Sequence, residues 1–584
     1  MISIMKHFTK KDWAWTTAIF FTTIFEVMSG LMTVVFMQKI VALLVPPLLD
    51  DAVKQILISG GIMVSFAVLS VILGIINSFI SVRLATNYSR TLRGKLFEKV
   101  NSFTMEEINR FTTPSLITRS TNDIQQVQMA LATGLRMIFV APIIAIASII
   151  MIVKESSELS ITTAIGIFIL VATIMIVFSL VFPKFKLIQE YTDKLNGVSR
   201  EHLTGLRVVK AYNAEDYQQN KLEDVNHKLS LTRRFVTRMM AILVPGCYLI
   251  MDILGLVIIW FGSYLINDGM ITLPEVTAFE MYANMVLMAF MMMTMMALML
   301  PRAAIAAKRV NEVIETTPSV VDSEHPISPK EDIRGSVEFK NVSFTYPDAK
   351  NYALHNISFS LNKGETLAII GATGSGKSTL VNLIPRFFDV QEGEILIDGV
   401  NVKDMKQSDL RARLGIASQK AILFSGTIED NIKFSNKNMS DSDMVEAAQI
   451  ASADEFIENS EDKYHEHVAQ GGNNFSGGQK QRLSIARTVA KKPEIYIFDD
   501  TFSALDYATD KRVRTALADI TKDSSVIIVA QRIGTIMNAD KILVLDQGEI
   551  VGLGTHAELI KNSEVYKEIA LSQLSKEELQ DAQS

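Results

Sequence analysis

A chain of 584 residues is too long for one hydrophobic core, so more than one domain is expected. The net charge of −6 gives no reason to expect nucleic acid as a partner, and the single cysteine, Cys247, excludes an intramolecular disulfide and a cysteine-rich metal site. Hydrophobic residues make up 48% of the chain. They crowd the first 300 residues, and the remainder has the composition of a soluble α/β domain.

The chain opens with a basic stretch and a long apolar run. Lys6, Lys10 and Lys11 precede a run that extends from Trp13 towards Pro46. This run is longer than the hydrophobic region of a signal peptide and has no small-residue cleavage site. The pattern therefore predicts a first membrane helix with a cytoplasmic start.

Apolar stretches of membrane-spanning length occur six times, near 15–45, 55–82, 130–153, 160–182, 243–266 and 272–300. The three short connectors are mainly acidic, with Lys54 and Lys154 as their only basic residues, whereas the connectors 83–129 and 183–242 are rich in Arg and Lys. The positive-inside rule places the long connectors in the cytoplasm. Six spans return the chain to that side of the membrane.

Each long connector is expected to form two helical extensions, because some 20 extra residues carry a helix roughly 30 Å beyond the membrane. The turns between the extensions are predicted near Asn109–Ser115 and Ala211–Tyr217. A pair of solvated loops is the plainer alternative, but connectors of this length are long for structureless segments.

The composition changes after residue 310, where Pro318, Pro326 and Pro329 lie among charged residues. Residues 337–346 then alternate like a half-buried strand. We predict a membrane domain at 1–310, a linker at 311–335, a soluble domain at 336–575 and a charged tail at 576–584.

A phosphate-binding loop is the most specific motif in the soluble domain. The sequence G-A-T-G-S-G-K-S-T follows the apolar strand 366–370 and precedes a helical run, which is the context that such a loop requires. Its glycines allow backbone N–H groups to surround phosphates at a helix N-terminus, while the lysine reaches the β- and γ-phosphates and the serine ligates Mg²⁺. The residues are Gly371, Ala372, Thr373, Gly374, Ser375, Gly376, Lys377, Ser378 and Thr379.

Two further segments belong with this loop. The apolar strand 495–498 ends at Asp499, which is placed to hold the Mg²⁺ shell. The segment F-S-G-G-Q-K-Q-R, Phe475 to Arg482, opens a helix with a serine and two glycines. By itself the second segment fits an ordinary N-capped helix equally well.

Together these motifs resemble the ATP-binding cassette family, and nearly the whole chain resembles an ABC exporter half-transporter. The resemblance implies a multidomain fold, with an all-α six-helix transmembrane domain followed by an α/β P-loop nucleotide-binding domain. It also implies ATP and Mg²⁺ as cofactors, with Tyr346 stacking on adenine and with Ser378, Gln419 and Asp499 near the metal. The signature that contacts ATP held by a second subunit is Phe475, Ser476, Gly477, Gly478 and Gln479.

Two positions depart from the family pattern. Members that hydrolyse ATP follow the Mg²⁺ aspartate with a glutamate that positions water, and they carry a histidine after the last apolar strand; this chain has Asp500 and Gln531. A carboxylate set back by about 1.5 Å is poorly placed for orienting water. Glutamine cannot take up a proton. Either change is expected to lower turnover by about 100-fold or more.

Two such changes beside an intact phosphate loop predict a subunit of a heterodimer rather than a slow but working site. In the family's heterodimeric exporters, one composite site hydrolyses ATP and the other mainly holds it. On this hypothesis, Asp500 and Gln531 lie in the degenerate site, and the signature of this chain completes the site of a partner half-transporter. The expected location is the plasma membrane of a bacterium, with the nucleotide-binding domain in the cytoplasm.

The membrane domain gives less information about cargo. A methionine stripe on the sixth span is compatible with a packing seam or with a deformable apolar wall; its members are Met281, Met285, Met288, Met292, Met295 and Met299. Glu26, Asp252 and Glu280 fall within spans, where acidic side chains indicate function or pairing between helices. The combination favours amphipathic small molecules, cations among them, and so multidrug efflux across the bilayer.

Other functions remain open at this point. Export of a lipid or a peptide is the alternative within transport. A nucleotide-gated channel is the alternative outside it, and stimulation of ATPase activity by cargo would separate pump from channel. A regulatory ABC protein without transport fits poorly, because the chain has six predicted spans and long cytoplasmic connectors.

Overall fold

The computed structural model describes residues 2–46, 51–329, 334–347 and 349–573, so the predicted tail at 576–584 lies outside it. The chain divides into two compact units, each considered separately. The membrane unit comprises Met1–Asn101 and Thr113–Thr316, and the soluble unit comprises Ser102–Thr112 and Thr317–Ser584. The segment 102–112, which lies within the first predicted cytoplasmic connector, thus belongs to the soluble unit.

Helices account for the regular structure that is described in residues 2–316. They are α1 Ile2–Met5, α2 Lys10–Leu44, α3 Ala52–Asn101, α4 Met105–Phe111, α5 Thr113–Thr118, α6 Ile124–Met129, α7 Leu135–Glu155, α8 Ser157–Thr204, α9 Leu206–Ala211, α10 Glu215–Asn267 and α11 Leu273–Glu315. Two π-helical turns, Arg119–Asp123 and Ala130–Gly134, join α5, α6 and α7. Among the described residues six helical runs are long and apolar enough to cross a membrane, which confirms the six predicted spans.

Capping side chains fix where the long helices begin. The Thr9 N–H donates to Asp12 Oδ2 over 2.8 Å at the start of α2, and the Thr272 N–H donates to Glu275 Oε2 over 2.7 Å at the start of α11. Each carboxylate satisfies a backbone donor that the first helical turn leaves unpaired. Helix α11 ends at Glu315, so it extends into the segment that was predicted as a linker from residue 311.

Both predicted cytoplasmic turns coincide with breaks in helical structure. Helix α4 ends at Phe111, Thr112 has φ of 60°, and α5 begins with the next residue. Helix α9 ends at Ala211, and Asn213 has φ of 49° before α10 begins at Glu215. The helices that lead to and from these breaks are long: the 50 residues of α3 correspond to about 75 Å.

The membrane unit is packed around one face of α11. Phe279, Tyr282 and Val286 recur at spacings of three and four residues, and each is fully buried. They pack in one apolar cluster with Ile258 of α10 and Leu31 of α2. Cys247 is also buried in this cluster, as expected for a small packing residue.

The soluble unit contains three sheets. Its strands are β1 Val337–Phe344, β2 Leu354–Leu361, β3 Thr366–Gly371, β4 Glu392–Ile397, β5 Val400–Asn401, β6 Leu414–Ala417, β7 Gly426–Thr427, β8 His467–Val468, β9 Ile495–Asp499, β10 Ser525–Val529, β11 Lys541–Asp546 and β12 Glu549–Gly554. The main sheet has the order β12-β11-β3-β10-β9-β6, with β11 to β6 parallel and β12 antiparallel at the edge. An antiparallel sheet has the order β2-β1-β4-β5, and β7 pairs with β8.

Helices complete the soluble unit. They are α12 Lys377–Leu383, α13 Gln407–Arg413, α14 Ile428–Ile432, α15 Asp441–Ile450, α16 Asp454–Glu458, α17 Gly477–Ala490, α18 Tyr507–Ile520, α19 Ile533–Ile536, α20 His556–Asn562 and α21 Glu564–Gln573. One apolar core joins the antiparallel sheet to the main sheet. A second core packs α14 to α18 against the opposite face of the main sheet, where it contacts β6, β9 and β10. The membrane unit is all-helical and the soluble unit is α/β, which confirms the predicted fold class.

Candidate nucleotide-binding site

Parallel strands bring the predicted phosphate and metal residues to one edge of the main sheet. Gly371 at the end of β3 pairs with Leu545 of β11, and Asp499 at the end of β9 pairs with Val529 of β10. The loops after these strands therefore meet at the carboxyl edge, where α/β sheets bind ligands. They surround a cavity of about 540 Å³ that is lined by Tyr346, Tyr352, Ala353, Thr373, Gly374, Gly376, Lys377, Ser378, Thr379, Gln419, Asp499, Asp500, Val529, Gln531, Gln547 and Gly548.

The phosphate loop needs glycine at two of its positions for steric reasons. A Cβ atom at Gly371 would lie 2.1 Å from the carbonyl oxygen of Leu545. Gly376 has φ of 101°, in the left-handed region, and a Cβ there would lie 2.8 Å from the carbonyl oxygen of Ala353. Of the nine loop residues, Gly371, Ala372 and Ser375 are outside the cavity lining, and Ser375 is buried beneath the loop.

Lys377 begins α12 and curls back over the loop. Its Nζ donates to the carbonyl oxygens of Gly371 over 2.8 Å and Ala372 over 2.7 Å. Burial lowers the pKa of this ammonium below its usual value, and the charges of Asp500 and Asp499 oppose that effect. The cation is thus partly desolvated beside two carboxylates, in a place that favours the arrival of an anion.

Ser378 and Asp499 supply oxygen ligands of the type that Mg²⁺ prefers. The Ser378 hydroxyl donates to Asp499 Oδ1 over 3.2 Å. Burial, together with the charge of Asp500, raises the pKa of Asp499. No cluster of three or more acidic, histidine or cysteine side chains occurs among the described residues. A hydroxyl and one carboxylate fit a Mg²⁺ ion that takes its other ligands from phosphate and water.

Asp500 accepts hydrogen bonds from both glutamines of the site. Its Oδ2 accepts from Gln531 Nε2 over 2.6 Å and from Gln419 Nε2 over 3.2 Å. The residue has φ of 50°, a conformation that aspartate tolerates, and it is buried. One carboxylate oxygen is therefore already occupied by two amide donors, and the nearest polar neighbours are groups that cannot take up a proton.

Tyr346 lies at the wall of the cavity next to the phosphate loop. Its ring meets Phe344 and Phe388 edge-on, with centroids 4.9 and 5.4 Å apart, and its hydroxyl is 3.0 Å from Thr379 Oγ1. These contacts fix the plane of an aromatic ring that borders the cavity, as stacking on a base requires.

The signature segment is not part of this cavity lining. Ser476 caps α17: its Oγ accepts from the Gln479 N–H over 3.3 Å, and its own N–H donates to Gln479 Oε1 over 2.8 Å. Phe475 packs on the second core, with the helices α14 to α18. A Cβ atom at Gly477 would have no neighbour within 4 Å. The structure thus brings the phosphate, metal and catalytic positions together and leaves the signature apart from them.

Some cavity residues were not predicted from the sequence. Gln547 and Gly548 form a left-handed turn after β11, and the Gly548 N–H donates to the carbonyl oxygen of Ser375 over 3.2 Å. The pair Gln-Gly after an apolar strand indicates a turn, but its contact with the phosphate loop depends on strand order.

Gln573 of α21, which lies outside the cavity lining, was also not predicted: its Nε2 donates to the Gln531 carbonyl over 2.8 Å, and its Oε1 accepts from the Ile533 N–H over 2.9 Å.

The methionine stripe lies beside the packing seam of α11. Met281 and Met295 are 38% and 51% exposed, and the other four methionines are partly buried, with Met285 packed against the apolar cluster of the membrane unit. The fully buried seam of α11 is the face that includes Tyr282 and Val286. The stripe is thus partly covered within this chain, and its role in packing or in cargo binding stays a prediction.

The three acidic residues of the spans differ in their surroundings. Glu26 is paired: its Oε1 accepts from Arg136 Nη2 over 2.7 Å, and its Oε2 accepts from Asn77 Nδ2 over 2.6 Å. A neutralised carboxylate is a poor counter-charge for cargo, which corrects that interpretation of Glu26. Asp252 is exposed, and Glu280 lies against Gly255 without an ion pair in the described part of the chain.

Comparisons with known proteins agree with this architecture. The ABC transporter transmembrane region profile matches residues 16–290, and the ABC transporter profile matches residues 354–503. The chain is 36% identical over 534 residues to an uncharacterized ABC transporter ATP-binding protein of Mycobacterium tuberculosis, covering 90% of this chain and 91% of the relative.

Two relatives from Bacillus subtilis are similar over most of their length. The uncharacterized ABC transporter ATP-binding protein YfiB is 34% identical, with 96% of this chain and 99% of the relative covered. The putative multidrug export ATP-binding/permease protein YgaD is 32% identical, with 82% of each covered.

A solved structure shows the same fold. A bacterial Atm1-family ABC exporter with ATP bound superimposes with a TM-score of 0.81 and 24% identity, covering 96% of this chain and 98% of that one. The strand edge with its phosphate loop, the six long apolar helices and these similarities lead to one conclusion. The chain belongs to the ABC transporter family, as an ATP-driven exporter subunit that crosses the membrane several times and carries its nucleotide-binding domain in the cytoplasm.

Proposed function

We propose that this chain is the degenerate-site subunit of a heterodimeric ABC exporter. The observation that carries the proposal is the double hydrogen bond from Gln531 and Gln419 to one oxygen of Asp500. A base that activates water needs a free carboxylate oxygen within hydrogen-bond reach of that water. At this site the carboxylate is shorter than that of glutamate, and one of its two oxygens already accepts from two amides, so the site is expected to hold ATP far better than it splits it.

The residues for holding ATP are complete. The backbone of the phosphate loop and Lys377 would bind the phosphates, and Tyr346 would stack on the base. Ser378 and Asp499 would hold Mg²⁺, which supplies positive charge to the phosphate oxygens when bound. Binding is therefore expected to be strong at the same site at which turnover is weak.

The signature of this chain is proposed to act on the partner's nucleotide. The start of α17 presents the backbone of Gly477 and Gly478, and the Ser476 cap orders that turn. A helix N-terminus of this kind is suited to an anion. Since the segment is absent from the lining of this chain's own cavity, a second half-transporter is the expected source of that anion.

For cargo we propose amphipathic small molecules and hence multidrug export. The relative YgaD carries that function in its name, and the methionine stripe of α11 is partly exposed. Methionine side chains adapt to ligands of different shape. Asp252 and Glu280, which have no ion pair in the described residues, are the acids left to attract cationic cargo, and neutral amides there should weaken cation transport selectively.

The division of labour is tested by steady-state ATPase activity of the assembled pair. Gly477→Ala is expected to lower hydrolysis at least about tenfold: the added methyl group meets no atom of this chain within 4 Å, and in the proposed pair it would crowd the backbone that contacts the partner's nucleotide. Asp500→Ala is expected to change the rate less than about twofold. Lys377→Ala should remove nucleotide binding at this chain's own site while it leaves turnover at the partner's site.

The purified chain without its partner is expected to hydrolyse ATP negligibly. Brisk Mg²⁺-dependent turnover by the single chain would overturn the heterodimer. The division of labour is also overturned if Asp500→Ala abolishes activity of the pair while Gly477→Ala keeps most of it, since Asp500 would then serve the site that turns over.

A further inference from the structure

A second cavity lies in the membrane unit, between the cytoplasmic ends of α2 and α3. Its volume is about 410 Å³. Three basic side chains line it, Lys11 from α2 and Arg83 and Arg90 from α3, together with the aromatic ring of Trp15. Neither the nucleotide site nor the proposed cargo residues include any of these groups.

The charge of this cavity is positive and unpaired. Lys11, Arg83 and Arg90 make no ion pair with any residue that the structure describes. The one acid in the lining, Asp12, is engaged at the start of α2, where its Oδ2 accepts from the Thr9 N–H over 2.8 Å and the Thr9 hydroxyl over 2.7 Å. Three cations against one carboxylate leave a net positive site that an anion would complete.

The cavity lies at the cytoplasmic border of the membrane. Arg83 is the first charged residue after the apolar run 55–82 of α3. On α2, Asp12 is the last charged residue before Trp15 and the apolar run that follows. Tryptophan and basic residues both favour this level of a bilayer, where phospholipid headgroups lie.

A second groove continues from this cavity towards the membrane interior, and its lining combines apolar side chains of α3 with the Glu26–Arg136 ion pair. Phe79 lines both the basic cavity and a neighbouring open cavity of about 690 Å³. Val71, Ile75 and Val82 of α3 extend the second cavity on the same helical face, and all four of these side chains are at least half exposed. One face of α3 thus presents an apolar strip followed by two arginines.

We propose that this face of α3, with Lys11 and Trp15 of α2, binds an anionic phospholipid of the inner leaflet. The phosphate and any further headgroup charge contact Lys11, Arg83 and Arg90, and an acyl chain lies against the exposed apolar strip of α3 that runs from Phe79 to Val71. The residues from Val71 to Arg83 span about 18 Å along the helix, which lies within the roughly 20 Å that one leaflet occupies. The site is independent of the cargo path proposed above.

Trp15 is a reporter inside the site. In the full-length chain with Trp13→Phe and Trp260→Phe, reconstituted in phosphatidylcholine vesicles, brominated phosphatidylglycerol should quench Trp15 fluorescence more than an equal mole fraction of brominated phosphatidylcholine. The expected preference in relative association constant is at least about fivefold. Each of the substitutions Arg83→Gln and Arg90→Gln should remove most of this preference for phosphatidylglycerol.

Arg93→Gln is the matched control, because it removes the same charge from α3 at a residue outside the cavity. It should leave the preference unchanged. Equal quenching by the two brominated lipids would overturn the proposal. If Arg83→Gln and Arg93→Gln reduce the preference for phosphatidylglycerol equally, the protein attracts anionic lipid through its basic surface in general and the proposed site is wrong. Glycerol 3-phosphate in solution should not compete; if it restores Trp15 fluorescence, the ligand is a free phosphate and the lipid assignment is wrong.

Discussion

The nucleotide cavity and the membrane helices each contain a carboxylate that accepts hydrogen bonds from two side chains, and the two sets of donors differ. Asp500 accepts from two neutral amides, both at the same oxygen. Glu26 accepts from the Arg136 guanidinium at one oxygen and from Asn77 at the other. The first carboxylate is held by neutral amides, while the second forms an ion pair.

The difference follows from the surroundings. In the nucleotide cavity the Lys377 ammonium supplies positive charge near Asp500 without forming an ion pair with it, and bound Mg²⁺ would add to that charge. Glu26 lies within a membrane-spanning helix, where an unpaired charge is costly and a cationic partner offsets that cost. A carboxylate in the cavity can therefore be retained for binding without catalysis, whereas one in the membrane serves mainly to join helices.

Restoring the family pattern in the nucleotide cavity should have the largest effect. In the assembled pair, with the partner's own site disabled, Asp500→Glu combined with Gln531→His is expected to raise ATP hydrolysis about 100-fold. The longer side chain reaches the water, and the imidazole replaces an amide that now occupies the carboxylate. Gln531→His alone should raise the rate of ATP hydrolysis much less than the double variant does. An unchanged rate in the double variant would mean that another feature disables the site.

Breaking the membrane pair should have the next largest effect. Glu26→Gln leaves the Arg136 guanidinium without a counter-charge, and a loss of about 2 to 3 kcal/mol in the free energy of unfolding is expected. Arg136→Gln should cost a similar amount, while the double variant should lose much less than the sum. Glu280→Gln is the matched control with little expected change, since Glu280 has no ion pair in the described residues. Additive losses in denaturation of the purified protein would contradict a coupled pair.

The smallest expected effect concerns Asp499, whose pKa is raised by burial and by the charge of Asp500. A raised pKa means that the folded protein favours the protonated form, so this stabilisation is present at low pH and is lost as pH rises through the folded-state pKa. At neutral pH without nucleotide, Asp499→Asn should therefore raise the melting temperature by about 2 °C.

The advantage of Asp499→Asn should shrink as the pH approaches the acidic range, because the wild-type carboxyl is then protonated as well. The variant should also lose the additional thermal stabilisation that Mg²⁺ gives in the presence of ATP. Scanning fluorimetry of the full-length chain at several pH values measures both effects. A lower melting temperature at neutral pH would show that the hydrogen bond from Ser378 outweighs the cost of burial.

Local sequence determined a large part of this protein. The six apolar runs predicted six membrane helices, because a helix that crosses a bilayer needs about 20 apolar residues in succession. The phosphate loop was predicted because a strand, a glycine-rich turn and a helix start are adjacent in the chain. The altered residues Asp500 and Gln531 were also evident, since Asp500 directly follows the short apolar strand β9 and Gln531 lies two residues after the end of β10.

Tertiary structure alone decided which groups these side chains meet. The order of β11, β3, β10 and β9 brings Gln547 and Gly548 to the phosphate loop and places Gln531 against Asp500, although 31 residues separate the last two in the chain. The pairing of Glu26 with Arg136 spans 110 residues and depends on how two helices pack. Hydrophobic periodicity indicates that a face is buried but not which face it meets, so the neutralisation of Glu26 and the basic cavity beside Trp15 could be found only in the folded chain.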